Sequence, residues 1–149
     1  MTESQRNILS KPANRPLVLI AIVIAAMTAL VLASRLRQAV DLIPWRTDFF
    51  AAQSEAARTS KPLFLYFGAE WCPPCQDMKR TTWSDKQVET ALRRFVPVKI
   101  DVDAHPDLAV KYQVQPLPTF IIADKEGNEI RRIDGGMSAD DLIGWISAR

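Results

Sequence analysis

An uninterrupted apolar stretch, residues 17–33, constrains the fold of this chain more than any other feature of its sequence. It contains one hydroxyl side chain, Thr28, and no charged residue, so a helix built from it has no polar face. At about 1.5 Å rise per residue the helix would be roughly 25 Å long, close to the ~30 Å hydrocarbon core of a bilayer. The sequence therefore predicts a transmembrane helix over residues 17–34.

Three interpretations of this stretch are open. A signal-anchor is the favoured one, and a buried core helix is the least favoured because the stretch lacks a polar face. A cleaved signal peptide lies between them, because residues 31–33 form an acceptable cleavage pattern after a basic start.

The orientation of the anchor does not follow from its flanking charges, because three basic residues precede the apolar stretch and three follow it closely. A short tail before a first hydrophobic segment behaves like an export signal. We therefore expect a cytoplasmic tail at 1–16, a linker at 35–44 and a folded domain at 45–149. The protein is then a single-pass protein of the inner or cytoplasmic membrane, with the domain facing the periplasm or the exterior.

The charge distribution excludes one class of partner. Residues 1–37 hold five basic side chains and one acidic side chain, which leaves the rest of the chain slightly acidic. A nucleic-acid surface needs a basic patch on the folded domain, so we expect no nucleic-acid partner. The length of the soluble part suits one ordinary domain, and we expect a monomer.

The chain has only two cysteines, Cys72 and Cys75. A zinc site of four ligands would need two more soft ligands, and the single histidine, His105, cannot supply them. We expect neither a metal nor an organic cofactor. Redox use of the two cysteines is the simpler hypothesis, and two reduced structural cysteines are the alternative.

Strand-like and helix-like patterns alternate along the soluble part. We predict helices at about 47–59, 72–80, 85–94, 105–112 and after Ser138, and strands at about 40–45, 63–67, 95–102, 119–123 and 129–133. Thr47, Ser84 and Ser138 are the predicted N-caps. This order predicts an α/β fold with a central mixed sheet flanked by helices and an antiparallel hairpin at one edge.

The position of the cysteines fits redox chemistry, because they lie between a buried strand and the start of a helix. The reactive form of cysteine is the thiolate, and a helix N-terminus stabilises it with free N–H groups and the positive dipole end. The dipole alone contributes about 0.3–1 kcal/mol, so hydrogen bonds from Cys75 must add to it. We predict Cys72 as the attacking sulfur and Cys75 as the resolving one.

Four motifs carry a family resemblance: the heptapeptide at 69–75, Val102-Asp103, Leu117-Pro118-Thr119 and Gly135-Gly136. On these motifs, the chain from about residue 40 to 149 resembles the thioredoxin superfamily. It is similar to thioredoxin-like domains such as the C-terminal domain of DsbD, with which it shares Lys61-Pro62 and the stretch 82–88. The resemblance implies a thioredoxin fold and a redox-active disulfide between Cys72 and Cys75.

The resemblance also implies roles for residues outside the cysteine pair. Pro118 would be the cis-proline that packs against the pair, and Leu117 would be free to bind an extended substrate strand. Thr119 and Gly135 belong to the same implied substrate-binding region. Apart from the resemblance, we expect Trp71 to shield the cysteines and contact partners, with a pure core role as the alternative.

Two departures from the family pattern affect the residues that tune the pair. Pro73 and Pro74 stand between the cysteines, where most thioredoxins have Gly-Pro, and this change leaves the redox potential open. Tyr66 stands six residues before Cys72, where thioredoxins commonly have a buried acid that serves as a base. Glu70 is the candidate substitute base, acting by way of water, and a solvated loop acid is the alternative interpretation.

The hypothesis from sequence is a protein-disulfide reductase or electron relay that acts on extracytoplasmic protein disulfides. It would need a membrane electron donor to reduce the cysteines again, and it would contact the lipid bilayer through residues 17–34. A thiol oxidase or isomerase is one alternative. A membrane-tethered binding or holdase module without redox activity is another.

Overall fold

The computed structural model describes residues 15–36 and 40–148, which fall into two compact units, 1–38 and 39–149. In the first unit, the described residues form one helix, α1 (Arg15–Leu36). Residues 16–33 of this helix are all exposed, and its length and composition match a membrane span or a signal sequence. Most of the expected tail, residues 1–14, lies outside the described residues, and so do 37–39 of the expected linker.

The second unit is a four-stranded sheet with helices on both faces, and it confirms the predicted thioredoxin fold. Its elements are α2 (Phe49–Thr59), β1 (Leu63–Gly68), α3 (Pro73–Arg80), α4 (Lys86–Leu92), β2 (Val96–Asp101), α5 (Pro106–Lys111), β3 (Thr119–Ala123), β4 (Glu129–Asp134) and α6 (Ala139–Ser147).

The strand order is β2-β1-β3-β4, with β1 parallel to β2 and the other two pairs antiparallel. The parallel pair is joined by a crossover through α3 and α4, and the β3–β4 hairpin forms one edge. The sheet is therefore mixed, as predicted.

Strand β1 lies inside the sheet and is buried on both faces, which explains its continuous apolar sequence. Leu63, Leu65 and Phe67 point into a core that also contains residues of α2 and α5. Phe64 and Tyr66 point to the opposite side, into a core with α3, α4 and α6. The second core also contains the cysteines.

The predicted strand at 40–45 is wrong. The structure has only an isolated parallel bridge there, between Arg46 and Val98. The carboxylate of Asp41 accepts hydrogen bonds from the Ile43 N–H at 3.0 Å and from the Trp45 indole N–H at 2.9 Å. These local hydrogen bonds compete with a strand ladder and fold the segment into a turn.

Two of the three predicted N-caps are wrong by one residue. Asp48 caps α2 instead of Thr47, and Asp85 caps α4 instead of Ser84. Each carboxylate accepts from a backbone N–H of the first turn, where its negative charge also complements the helix dipole. The Ser84 hydroxyl donates instead to carbonyls of the preceding turn. Ser138 caps α6 as predicted.

Candidate active site

The cysteine pair lies where the sequence predicted it, at the N-terminus of the helix that follows β1. Cys72 is the N-cap of α3, and Cys75 lies in its first turn. The two form a disulfide with a Cα–Cα distance of 5.3 Å, and they are only 2% and 4% exposed. The sulfurs are therefore nearly inaccessible to bulk solvent.

The prolines between the cysteines determine which backbone N–H can donate a hydrogen bond to the Cys72 sulfur. Pro73 and Pro74 occupy the first two helical positions and have no N–H group. The first available amide is that of Cys75, which donates to Cys72 Sγ at 3.3 Å. On reduction, this amide and the helix dipole favour the thiolate of Cys72.

Trp71 forms an exposed apolar wall beside the buried sulfurs. Its side chain is 64% exposed, and its indole N–H donates to Asp103 Oδ2 at 2.7 Å. Asp103 lies in the loop after β2, so this hydrogen bond fixes the ring between two loops. Pro73 and Pro74 are also exposed, which extends the apolar surface around the pair.

The Leu117–Pro118 peptide bond is cis, as the resemblance implied. Leu117 is half-buried, and within the described part of the chain its backbone N–H and carbonyl have no hydrogen-bond partner. The Pro118 carbonyl accepts from the Gly135 N–H at 2.8 Å. Leu117 therefore keeps a donor and an acceptor available to an extended peptide.

Thr119 and Gly135 support this loop in different ways. Thr119 is fully buried, and its hydroxyl lies 2.8 Å from the Pro116 carbonyl and 2.7 Å from Asp134 Oδ1. Its side chain therefore holds the loop from inside. Gly135 has φ +96°, a conformation that favours glycine, at the end of β4.

The loop after β4 lies against the cysteine helix. A Cβ on Gly136 would be 3.2 Å from the Cβ of Pro74, a contact tight enough to require movement. Because Gly136 has no side chain, α3 can lie close to the loop that carries Gly135. Gly135 in turn donates to the carbonyl of the cis-proline, Pro118.

A small cavity of about 30 Å³ lies behind Cys75. It is large enough for one or two water molecules. The residues that line it come from β1, β2 and α3 and from the segments that follow β1 and α3: Tyr66, Gly68, Ala69, Glu70, Cys75, Gln76, Lys79, Trp83, Lys99 and Asp101.

Tyr66 occupies the inner side of this cavity. Burial raises the pKa of its phenol to about 12, and the carboxylates of Asp41 and Glu70 add to the rise. The indole N–H of Trp83 lies close to the phenol and lowers its pKa, which opposes part of the increase. This N–H makes no well-aligned hydrogen bond to any described residue. A Cβ on Gly68 would lie 2.8 Å from the Tyr66 hydroxyl, so Gly68 provides the space for the phenol.

Glu70 lies at the exposed rim of the cavity. Its backbone carbonyl accepts from the Gln76 side-chain amide at 2.6 Å, which ties its loop to the helix that carries Cys75. Sequence reasoning named Tyr66 and Glu70 but missed Gly68 and Trp83. The alternation of side chains along β1, which puts residues 66 and 68 on one face, was the available signal for Gly68.

No group of three or more His, Cys, Asp or Glu side chains among residues 15–36 and 40–148 is arranged to hold a metal ion. Residues 49–149 match the family model of the thioredoxin-like domain. The chain belongs to the thioredoxin-like family. Its members use a redox-active cysteine pair, so this thioredoxin-like protein belongs to a family of disulfide oxidoreductases.

Two curated relatives illustrate the similarity. The chain is 40% identical over 88 residues to a thioredoxin-like protein of Synechocystis sp., an alignment that covers 58% of this chain and 80% of that protein. It is 36% identical over 94 residues to the thiol:disulfide interchange protein DsbD of Yersinia pestis, covering 59% of this chain and 16% of that protein. The likeness to DsbD is thus confined to a small part of DsbD.

A solved structure agrees with these relatives. The oxidised C-terminal domain of DsbD from Neisseria meningitidis matches with a TM-score of 0.59 and 25% identity, covering 68% of this chain and 95% of that domain. Another relative is the chloroplastic thioredoxin Y1 of Arabidopsis thaliana, 36% identical over 98 residues, covering 66% of this chain and 55% of that protein. The relatives therefore differ in compartment, and membership of the family does not by itself assign one.

Proposed function

We propose that this protein is a membrane-anchored protein-disulfide reductase or electron relay that acts on protein disulfides outside the cytoplasm. The observation that carries the proposal is the hydrogen bond from the Cys75 amide to Cys72 Sγ at the N-terminus of α3. It stabilises a thiolate at Cys72, which directly follows the exposed Trp71 in the chain.

The reaction proceeds in two exchanges. The Cys72 thiolate attacks a substrate disulfide and forms a mixed disulfide, releasing the first substrate thiolate. Cys75 then attacks Cys72 Sγ, releases the second substrate sulfur and closes the disulfide of the pair. The substrate gains two electrons, which the cysteine pair loses, so a membrane electron donor must restore the dithiol.

Substrate binding uses the surface around the pair. An extended peptide pairs with the unpartnered backbone of Leu117 and lies against Trp71. Pro118, Thr119 and Gly135 hold this loop in place. The main-chain pairing gives little sequence selectivity, which suits a protein with several disulfide substrates.

The N-terminal helix supports the proposed anchoring and location. Residues 17–34 cross the inner or cytoplasmic membrane once, residues 1–16 remain in the cytoplasm, and a linker at 35–44 leads to the domain on the other side. The likeness to DsbD, whose C-terminal domain matches this one, supports the assignment of the domain to the periplasm or exterior.

Reduction of insulin disulfides by the full chain in detergent tests the activity. We expect turnover with a thiol reductant, no turnover for Cys72→Ser, and a trapped mixed disulfide for Cys75→Ser. Turnover that survives Cys72→Ser would contradict the proposal and favour a binding module with incidental cysteines.

The direction of electron flow is tested by titrating the pair against glutathione. We expect a reduction potential near that of thioredoxin, about −270 mV. A value near that of DsbA, about −120 mV, would identify a thiol oxidase instead.

A further inference from the structure

The second exchange requires removal of the Cys75 thiol proton, and Cys75 lines a small cavity. Cys75 must lose its thiol proton before it can attack, because the thiolate is the nucleophile. Cys75 is only 4% exposed, so bulk solvent has little access to that proton. The residue at the usual place of a buried acid is Tyr66, which lines the cavity next to Cys75.

Tyr66 is unsuited to be the base itself. With a pKa raised to about 12 by burial, the phenol is neutral at physiological pH. A neutral phenol can still accept one hydrogen bond and donate another. It can therefore receive a proton from one side while releasing its own to the other, without becoming charged.

The cavity has the properties of a water site. Its volume of about 30 Å³ accommodates one or two water molecules. Trp83, which is 1% exposed, also lines the cavity, and its indole N–H makes no hydrogen bond to any described residue. Since buried donors are nearly always satisfied, the acceptor for this N–H is the neighbouring Tyr66 phenol or a water in the cavity.

Five ionisable side chains besides Cys75 line the cavity: Tyr66, Glu70, Lys79, Lys99 and Asp101. Lys99 pairs in register with Tyr66, and Asp101 with Gly68, so both β2 side chains lie on the cavity face of the sheet. The two lysines attract the thiolate that forms at Cys75. The two carboxylates are the possible proton acceptors.

Glu70 is the better placed carboxylate. Its charge acts on the Tyr66 phenol, and its loop is tied by Gln76 to the helix that carries Cys75. The carboxylate of Asp101 already accepts from the Asp103 N–H at 3.0 Å. Asp41 also acts on the phenol, but it binds Ile43 and Trp45 and does not line the cavity.

We propose that cavity water and the Tyr66 hydroxyl relay the proton of Cys75 to the carboxylate of Glu70 during the second exchange. The Cys75 S–H bond breaks, and its proton passes through cavity water to the Tyr66 hydroxyl oxygen. The Tyr66 hydroxyl releases its own proton toward the carboxylate of Glu70, so the phenol stays neutral. The Cys75 thiolate then bonds to Cys72 Sγ, and the electron pair of the broken mixed disulfide leaves on the substrate sulfur. Glu70 finally returns its proton to solvent, from which the substrate thiolate is protonated.

The proposal rests on the proposed function, and its test separates the two exchanges. The reduced full chain in detergent is mixed with a fluorescent peptide disulfide, and single-turnover kinetics resolve formation of the mixed disulfide from its decay. We expect Tyr66→Phe to slow the decay about 100-fold at neutral pH, the lower end of the range for loss of proton-transfer assistance. Formation should change less than about twofold, because Cys72 is stabilised by the Cys75 amide rather than through the cavity.

The pH profile identifies a proton-transfer role. The deficit of Tyr66→Phe should shrink as the pH rises, because hydroxide then removes the proton directly, whereas a packing defect would persist at all pH values. Glu70→Gln should reproduce the deficit, and the double variant should be no slower than the slower single variant. Asp77→Asn is the matched control, since it removes one exposed negative charge from α3 outside the cavity.

Three results would overturn the relay. They are unchanged decay in Tyr66→Phe, unchanged decay in Glu70→Gln, and a deficit in Asp101→Asn that Glu70→Gln lacks. Loss of fold does not confuse the test, because Phe keeps the ring that stacks on Phe120 at 5.5 Å and Glu70 is exposed. If the unaltered chain forms no mixed disulfide at all, the proposed function fails instead.

Discussion

Tyr66 and Gly68 occupy alternate positions on β1, and the phenol of the first fills the space where a side chain of the second would lie. Tyr66 is also packed between Trp45, Trp83 and Phe120, with centroid separations from 5.1 to 5.6 Å. The ring therefore has little room to move away from a new side chain at position 68.

We expect Gly68→Ala to destabilise the domain by about 1–3 kcal/mol, because the added Cβ would lie 2.8 Å from the Tyr66 hydroxyl in a packed core. Urea unfolding of the full chain in detergent measures the change. Gly144→Ala is the matched control, since a Cβ there meets nothing within 4 Å and lies in α6. The control should be neutral or stabilising by up to about 1 kcal/mol, and equal effects at both positions would contradict the packing argument.

The two tyrosines of the chain make its alkaline behaviour measurable. Burial raises the pKa of both Tyr66 and Tyr112 to about 12, from an ordinary value of 10.0. The folded state then holds both phenol protons more tightly than the unfolded chain does. This contribution to stability is complete below pH 10 and is lost as the pH rises toward 12.

We therefore expect little tyrosinate absorbance from the native protein until the pH is well above 10, and a fall in unfolding free energy over the same range. An ultraviolet titration alongside unfolding at each pH checks both. Tyr66→Phe and Tyr112→Phe should each reduce the alkaline loss of stability. Titration of either phenol near its ordinary value in the folded protein would count against its burial.

At the residue scale, the sequence predicted the position of the sulfurs and the cis-proline but missed part of the cavity lining. The spacing of Cys72 and Cys75 after a buried strand indicated a helix N-terminus, and the structure confirms it. The involvement of Trp83 was not predictable in the same way. Trp83 lies in the turn that follows α3 and lines the cavity. Its position there depends on how α3 packs against the sheet, which the sequence pattern does not give.

At the level of elements, α4 illustrates why a pattern can predict a helix and still misplace its cap. Ser84 and Asp85 are adjacent, and both residue types are good N-caps. In the structure the Ser84 hydroxyl is engaged by carbonyls of the preceding turn, while the Asp85 carboxylate accepts from Gln87 N–H at 2.6 Å. The end of α3 thus decides which residue caps α4.

We expect Asp85→Ala to cost about 0.5–2 kcal/mol of stability, the usual range for loss of an N-cap. Ser84→Ala should cost less, because the Ser84 hydroxyl satisfies none of the free N–H groups of α4. Unfolding curves of the two variants provide the comparison. The capping assignment would be wrong if Ser84→Ala were the more damaging substitution.

The segment before α2 shows a different limit of sequence patterns. The apolar residues of this segment predicted a strand. In the structure, the Trp45 ring instead contacts the rings of Phe64, Tyr66 and Trp83. The hydrogen bond between the Trp45 indole and Asp41 fixes that orientation. An apolar run predicts burial, but the partners of its polar groups decide between a strand and a turn.

For the whole molecule, the proposed topology is the property most open to direct measurement. We expect a reporter enzyme that needs disulfides for activity, fused after Arg149, to be active in cells, because disulfides form outside the cytoplasm. The same fusion lacking residues 1–34 should be inactive, since it has no export signal. Activity limited to a cytoplasmic reporter would reverse the topology.

Fractionation of the same cells separates an anchor from a cleaved signal. A retained anchor keeps the full-length fusion in the membrane fraction, because a spanning helix is effectively irreversible in its insertion. A soluble product that begins near residue 34 would show that the apolar helix is removed.

The burial of both sulfurs beside the exposed Trp71 also has a kinetic consequence for the molecule in an oxidising compartment. A small oxidant or a free thiol finds almost no sulfur surface to collide with, since the cysteines are 2% and 4% exposed. A protein that docks on the Trp71 wall and pairs with Leu117 is held against Cys72 for many collisions. We therefore expect the reduced pair to react slowly with small oxidants and faster with a protein disulfide docked at Trp71.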